Sequence, residues 1–236
     1  MKRIFVLMFI VTSFSCVHSQ VKDIDGNTYK TVKIGNQIWF AEDLKVTRFN
    51  NGDIIPDLTN DWTSMSIKAL ADENLTESYP ALSYYDNDIS LPPLYNGYVA
   101  IDNRNVCPTG YKVPSLRDIN ILVQFLGGLK STGLNLKSKN DWIHGGNNLS
   151  GFNLSGRGFT YGSGEFGERY KTTILLSSQV EKYTWKTSGG DYELYGVSTL
   201  NVYSEQLYEG ESSKPIETQF DQMIPQSSGT IRCIKE

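Results

Sequence analysis

The sequence has little histidine, and this shortage excludes several kinds of chemistry. Only His18 and His144 occur in 236 residues. A zinc site needs three or four protein ligands, which one histidine in the body of the chain does not supply convincingly. Catalysis by a nucleophile and a histidine base would have to use His144, which lies in a glycine- and asparagine-rich stretch typical of an exposed loop. We therefore predict no catalytic residue, no metal and no cofactor.

Long apolar runs are also missing, except near the N-terminus. Residues 4–11 are uninterruptedly apolar and follow Lys2 and Arg3, which is typical of a signal peptide and too short to span a bilayer. Val17 and Ser19 are small enough for a cleavage site after residue 19, so we predict a signal peptide over 1–19 and a mature domain over 20–236. No later segment is apolar enough to predict a transmembrane helix.

A second interpretation of the N-terminus makes Cys16 the lipidated residue of a lipoprotein. The leucine that normally stands three residues before such a cysteine is missing, since Ser13 occupies that position. Simple secretion is therefore the preferred interpretation, and a lipid anchor at Cys16 is the alternative. Both place the mature protein outside the cytoplasm, either secreted or associated with the cell surface.

Basic residues are too few for a nucleic-acid-binding protein. Without Lys2 and Arg3 the chain has 20 basic and 26 acidic residues, a net charge of −6. An acidic surface repels both nucleic acid and anionic membranes. The partners that we expect are therefore a glycan or an extracellular protein.

Cysteine is scarce too, and its number is informative. Only Cys107 and Cys233 remain after the signal peptide, and two cysteines in an exported protein predict a disulfide. A loop of about 125 residues gives on the order of 4–5 kcal/mol in the chain-entropy model. The alternatives are two free thiols, or Cys107 as a nucleophile.

The sequence predicts short strands and two helices. Turn signals at 25–27 and 35–36 indicate two hairpins at the start of the mature chain. Apolar periodicity predicts a helix over 62–74, and a clearer one that is capped by Ser115 and Asp118 and ends at Gly127 and Gly128. Residues 94–101 are typical of a buried strand or a turn followed by a strand.

The second half of the chain predicts irregular structure. Residues 133–170 are rich in glycine and asparagine, and the last third suggests short strands that include 174–176 and 183–185. Residues 209–228 are polar and predict a mobile loop. We predict an α+β fold with small antiparallel sheets, two helices and a long loop-rich region, in a single domain.

Several ordered stretches resemble one protein family. The stretch from Cys107 to Ser115 resembles the signature Cys-Pro-Thr-Gly-Trp-His-Val-Pro-Ser of the Fibrobacter succinogenes major paralogous domain family. Further blocks at 25–29, 34–45, 84–88, 94–96, 150–152 and 229–235 resemble this family in the same order. The sequence departs from the family where Gly97 and Tyr111 replace tryptophans.

The resemblance implies a C-type-lectin-like fold related to the formylglycine-generating enzymes, with its first and last strands in one small sheet. Members are typically exported by Bacteroidota-like bacteria, many are lipoproteins, and their activity is largely undefined. The Glu-Pro-Asn, Gln-Pro-Asp and Trp-Asn-Asp motifs that chelate calcium in sugar-binding C-type lectins do not occur here. With both cysteines assigned to a disulfide, none is left for formylglycine-type oxidation.

Aromatic and amide side chains in the loop-rich half give a hypothesis for the ligand-binding surface. Aromatic rings stack on the apolar faces of sugars, and amides bond to hydroxyls. The candidates are Trp142, Asn147, Asn148, Tyr161 and Trp185, although core packing is the more common explanation for any one aromatic. We predict a non-catalytic recognition module for a glycan or protein; the alternatives are a structural or adhesive component, and a hydrolase with an unrecognised carboxylate pair.

Overall fold

The computed structural model describes residues 20–62, 77–187, 190–204 and 218–236. The helix predicted over 62–74 lies outside the described residues from position 63 onward. Among the residues described, no helix has the length and apolar character needed to cross a membrane.

The described part of the chain opens with the two predicted hairpins. Strands β1 (Val21–Lys22) and β2 (Thr28–Tyr29) pair first, and β3 (Thr31–Ile34) then pairs with β4 (Gln37–Phe40). Asp23 fixes the first turn, because its carboxylate accepts hydrogen bonds from the Asn27 amide and the Tyr29 hydroxyl, the latter at 2.6 Å. The turn residues thus act as the sequence predicts.

The first and last parts of the chain meet in one four-stranded sheet. Strand β7 (Tyr111–Lys112) follows Cys107, and β14 (Ile234–Lys235) follows Cys233. The strand order is β3-β4-β14-β7. Cys107 and Cys233 form a disulfide with their Cα atoms 5.8 Å apart, so the predicted pairing is confirmed.

Three helices are described. Helix α1 (Gly97–Ile101) follows strand β6 (Leu94–Asn96) and is capped by the Asn96 side chain, which accepts the Val99 N–H at 3.2 Å. The prediction of an extended segment is therefore wrong over 97–101, where the asparagine cap starts a helix instead.

Helix α2 (Leu116–Phe125) begins and ends as predicted. Ser115 and Asp118 form a capping box. Gly127 and Gly128 both have positive φ, and their N–H groups bond back to the carbonyls of Gln124 and Val123, which is a Schellman termination. Helix α3 (Leu129–Leu136) follows directly and was not predicted over this range.

A large three-stranded sheet replaces the short strands predicted for the last third. Strands β10 (Thr172–Thr187), β11 (Gly190–Tyr203) and β12 (Thr218–Met223) pair antiparallel in that order. The register of β10 with β11 shifts between Leu176 and Val180. This bulge interrupts the alternation of side chains, so one long strand has the sequence pattern of two short ones. Strand β12 also lies inside the range 209–228, for which the sequence predicts a mobile loop. That prediction is therefore wrong over 218–223.

Short strands organise the loop-rich region. Strands β5 (Leu82–Ser83), β8 (Phe159–Thr160), β9 (Phe166–Gly167) and β13 (Ser228–Gly229) join β6 in a five-stranded sheet of order β5-β6-β13-β8-β9. A short 3-10 helix spans Tyr85–Asn87. The fold is mixed α and β with mostly antiparallel strands, as the sequence predicts at that level.

Two apolar clusters form most of the core. One surrounds the disulfide and contains Tyr29, Phe40 and Tyr95. The other lies between α2, the four-stranded sheet and the long sheet, and contains Trp39, Ile119, Leu122, Phe152 and Leu200.

Candidate functional site

The structure places the sequence-predicted site residues in different environments. Trp142 is 6 % exposed and belongs to the second core cluster, and its indole N–H donates to the Leu154 carbonyl at 2.7 Å. Because the ring is buried, it has no open face for a sugar. Core packing is thus the correct interpretation of Trp142.

Asn147 and Asn148 shape a loop. The Asn147 carboxamide oxygen accepts the Leu149 N–H at 2.9 Å, and that of Asn148 accepts the Asn153 N–H at 2.8 Å. Asn148 has a φ of 52°, a conformation that asparagine tolerates better than most residues. These bonds fix the loop so that Leu149 points outward with 79 % of its surface exposed.

The two remaining candidates belong to other elements. Tyr161 follows β8, is half-exposed and packs edge-on against Phe159 with the ring centroids 4.8 Å apart. Trp185 lies on β10 with Tyr192 opposite on β11. The structure describes the backbone of Trp185 and not its side chain. Of the five candidates, Trp142, Asn147 and Asn148 lie in the segment between α3 and β8, and Trp142 is buried there. His144 is exposed in its loop, as predicted.

An open groove of about 440 Å³ lies next to that loop. The turn between β3 and β4, the end of α2, the helix α3 and the loop after Asn148 form its walls. Its lining residues are Lys33, Ile34, Gly35, Phe125, Leu126, Gly127, Asn135, Leu149 and Ser150. Phe125 is 62 % exposed, so the groove has an exposed aromatic ring and an exposed leucine on its rim.

Close backbone contacts fix the shape of the groove. Gly35 has a φ of 59°, and a Cβ there would lie 2.9 Å from the ring of Phe125, so the ring lies directly over the turn because residue 35 is glycine. The Ser150 hydroxyl donates to the Asn135 carbonyl at 2.7 Å and ties the loop to α3. The walls are therefore positioned by bonds within the protein.

The groove has few ionisable side chains in its lining. Lys33 is its one charged lining residue, and none of the nine is a carboxylate, histidine or cysteine. It therefore offers no pair of groups for general acid–base work. Ile121, one turn before Phe125 on α2, is also exposed, and residues four apart share a helix face. An apolar strip thus leads along α2 to the groove.

One protein-family model matches most of the chain. Residues 32–235 match the model of the Fibrobacter succinogenes major domain. The chain belongs to this family. The matched range includes both cysteines and all nine residues that line the groove. No curated protein and no solved structure matches the chain.

The residues that line the groove were not predicted from the sequence as site residues. Phe125 and Ile121 lie off the apolar stripe that buries Ile119, Leu122 and Val123, and this offset is a signal that could have been used. No such signal marks Lys33 or Leu149, because these residues come close to the groove's other residues only through contacts between distant parts of the chain.

Proposed function

We propose that this protein is an exported, non-catalytic recognition module that binds an extracellular protein through the groove beside α2. The observation that carries the proposal is the exposure of Phe125 and Leu149 on the rim of a preformed groove. Exposed aromatic and aliphatic side chains around a cavity are typical anchors of protein interfaces. A partner that inserts an apolar side chain would bury both.

The lining of the groove favours a protein segment over a glycan at this site. Sugar hydroxyls require several hydrogen-bonding side chains, whereas the exposed rim here is apolar and Lys33 is the one charged lining group. Lys33 favours a partner with a carboxylate close to its apolar side chain. The structural and adhesive role is the alternative, and it requires no occupant in the groove.

Export and the C-type-lectin-like fold are part of the same proposal. A disulfide is typical of proteins that fold outside the cytoplasm, and the signal peptide over 1–19, or the lipid anchor at Cys16, would take the chain there. The sheet that joins β3 and β4 to β14 agrees with the lectin-like arrangement that the resemblance implies.

Photo-crosslinking tests where the partner binds. A photoreactive phenylalanine analogue is placed at position 125 of residues 20–236, and at position 89 as a control, because Ile89 is 80 % exposed and does not line the groove. Surface proteins of the source organism are then offered to both variants. We expect one partner to crosslink from position 125 and not from position 89. Equal crosslinking from both positions would contradict the proposal.

A glycan array distinguishes the second ligand class. Binding of the wild-type domain to a glycan, with loss in Phe125→Ala, would assign the groove to a saccharide and overturn the choice of a protein. We expect no glycan signal that depends on Phe125, with calcium or with a chelator.

A further inference from the structure

Exposed apolar side chains are concentrated around the groove. The part of the chain that the structure describes has eleven large exposed apolar side chains, and five of them lie on α2, on α3 or in the loop that follows Asn148. These five are Ile121, Phe125, Leu129, Leu134 and Leu149. The Leu134 carbonyl accepts the Asn147 N–H at 3.0 Å, which holds that loop against α3. We call the exposed side of α2 and α3, with this loop, the α2–α3 surface.

The segment that builds this surface is basic, although the protein as a whole is acidic. Residues 112–139, which contain both helices, have five basic residues and one acidic residue. The rest of residues 20–236 has 15 basic and 25 acidic residues. The two helices therefore form an electropositive region on an otherwise acidic protein, and such a region attracts partners that carry negative charge.

Two exposed cations beside the groove have no counter-charge. Lys112 pairs with Asp118 at 2.9 Å, and Lys137 is buried. Arg117 on α2 and Lys33 in the groove lining are exposed, and neither forms an ion pair with a described residue. A carboxylate of a partner can therefore bind either cation without first breaking an ion pair within the protein.

Arg117 lies on the side of α2 that leads to the groove. Arg117, Ile121 and Phe125 follow one another at intervals of four residues, and residues four apart share a helix face. All three are exposed, whereas Ile119 and Leu122 between them are buried. Because a helix rises 1.5 Å per residue, this exposed stripe of α2 is about 12 Å long. It has a cation at one end and the aromatic rim of the groove at the other.

The size of the groove limits what can enter it. A cube of 440 Å³ has an edge of about 8 Å, which is less than the diameter of about 10–12 Å of a helix with its side chains. The groove therefore admits an apolar side chain and not a whole helix. An extended chain advances about 3.3 Å per residue, so about four residues cover the length of the α2 stripe.

We propose that the groove and the α2 stripe bind an extended acidic segment of the partner, an inference that rests on the proposed function of the groove. An apolar side chain of this segment occupies the groove between Phe125 and Leu149. A carboxylate next to that anchor binds Lys33, and a second one, about four residues further along the segment, binds Arg117. The recognised feature is an apolar residue with acidic residues at these two spacings.

Synthetic peptides test the proposal by nuclear magnetic resonance titration of residues 20–236. The acetylated and amidated peptide Asp-Leu-Ser-Ser-Ser-Asp has the predicted spacing, its reversed sequence covers the other chain direction, and each has a neutral counterpart with Asn in place of Asp. We expect one acidic peptide to shift the backbone amides of Gly127 and Leu149 and to bind about 5-fold more tightly than its neutral counterpart. This advantage should disappear in about 0.5 M salt, which screens exposed ion pairs.

Variants assign the advantage to the two cations. Arg117→Gln and Lys33→Gln should each weaken binding of the acidic peptide about 2-fold, and the double variant should bind the acidic and the neutral peptide equally. The matched control is Lys22→Gln, which removes an exposed cation of the first hairpin outside the groove and should leave both affinities unchanged.

The outcomes separate this inference from the proposed function. Equal affinity of the acidic and neutral peptides, with binding lost in Phe125→Ala, would overturn the acidic segment and leave the groove proposal standing. Binding of the acidic peptide that depends on Arg117 but not on Phe125 would refute the groove as the anchor site, and both proposals with it. No shift of the groove amides with any of the peptides would overturn the acidic segment.

Discussion

Asp43 balances the charge of two buried guanidinium groups. Its carboxylate accepts a hydrogen bond from Arg232 at 2.7 Å and lies 3.8 Å from Arg157, and all three side chains are buried. Arg232 also donates to the Asn153 carbonyl at 3.0 Å. The Arg157 Nε has no hydrogen-bond partner within the described ranges, and burial lowers the pKa of this guanidinium. The cluster joins the first hairpins, the loop-rich region and the C-terminal segment.

Neutralising Asp43 should destabilise the fold strongly. Asp43→Asn leaves two buried positive charges without a counter-charge, and we expect the free energy of unfolding to fall by about 3–5 kcal/mol. Urea denaturation with the disulfide intact measures this change. Glu165→Gln, at an exposed position, is the control and should stay within about 0.5 kcal/mol of wild type. Similar midpoints for the two variants would show that Asp43 is not the balancing charge.

Among single residues, those with local sequence patterns could be assigned from the sequence, and those whose contacts are distant in the chain could not. Ser115, Asp118 and Gly127 could be assigned because a helix cap and a helix stop are local patterns. The sequence left Trp142 open between a ligand contact and core packing, because its burial depends on Leu154 and other residues that pack from elsewhere. Asp43 and Arg232 are 189 residues apart, and no local pattern pairs them.

Helix α2 depends on its N-terminal capping box. The Ser115 hydroxyl accepts the Asp118 N–H at 3.2 Å, and the Asp118 carboxylate accepts the Ser115 N–H and lies 2.9 Å from the Lys112 ammonium. Burial raises the pKa of Asp118, but the hydrogen bonds from Ser115 and Lys112 outweigh it and hold this pKa below its ordinary value. The ionised carboxylate therefore stabilises the folded state.

The pH dependence of stability follows from that direction. An aspartate whose pKa is lower in the folded than in the unfolded state adds stability above about pH 4, near its unfolded pKa. That stability is lost as the pH falls through the folded pKa. We expect Asp118→Asn to unfold more easily than wild type at pH 7, with the difference shrinking below pH 4. Urea midpoints from pH 2.5 to 7 measure it, and a constant difference across this range would contradict the assignment.

The other elements divide into those with local signals and those without. The first hairpins could be predicted because turn residues at 25–27 and 35–36 act locally. Strands β10 and β11 could not be recognised at full length, because the bulge after Leu176 breaks the alternation. Strands of two residues such as β5, β8 and β13 are too short for a periodic signal, and they exist because distant strands pair with them.

At the scale of the whole molecule, the disulfide joins segments that are already neighbours in a sheet. Ile234, next to Cys233, pairs with Lys112 of β7, and Cys107 lies a few residues before that strand. The bond closes a separation of 126 residues. In the chain-entropy model a loop of this size stabilises the fold by roughly 4–5 kcal/mol.

Removing the disulfide should lower stability without changing the fold. We expect the double variant Cys107→Ala and Cys233→Ala to lose about 2–5 kcal/mol in the free energy of unfolding, because its unfolded chain is less constrained. Urea denaturation gives the change, and a wild-type sample in denaturant without reductant should show no alkylatable thiol at 107 or 233. Two reactive thiols in the native protein would contradict the assignment.

The groove also belongs to the scale of the whole molecule, since four separate segments line it. The sequence pointed to Asn147 and Asn148, which precede Leu149 of the groove, and the position of Phe125 on α2 was a signal that was not used, whereas Lys33 could be added only from the structure. The decisive quantity is the affinity of the crosslinked partner for Phe125→Ala, Leu149→Ala and the control Ile89→Ala, measured by calorimetry. We predict that each groove variant binds at least about 10-fold more weakly and that Ile89→Ala binds like wild type. Unchanged affinity in both groove variants would contradict recognition through this groove.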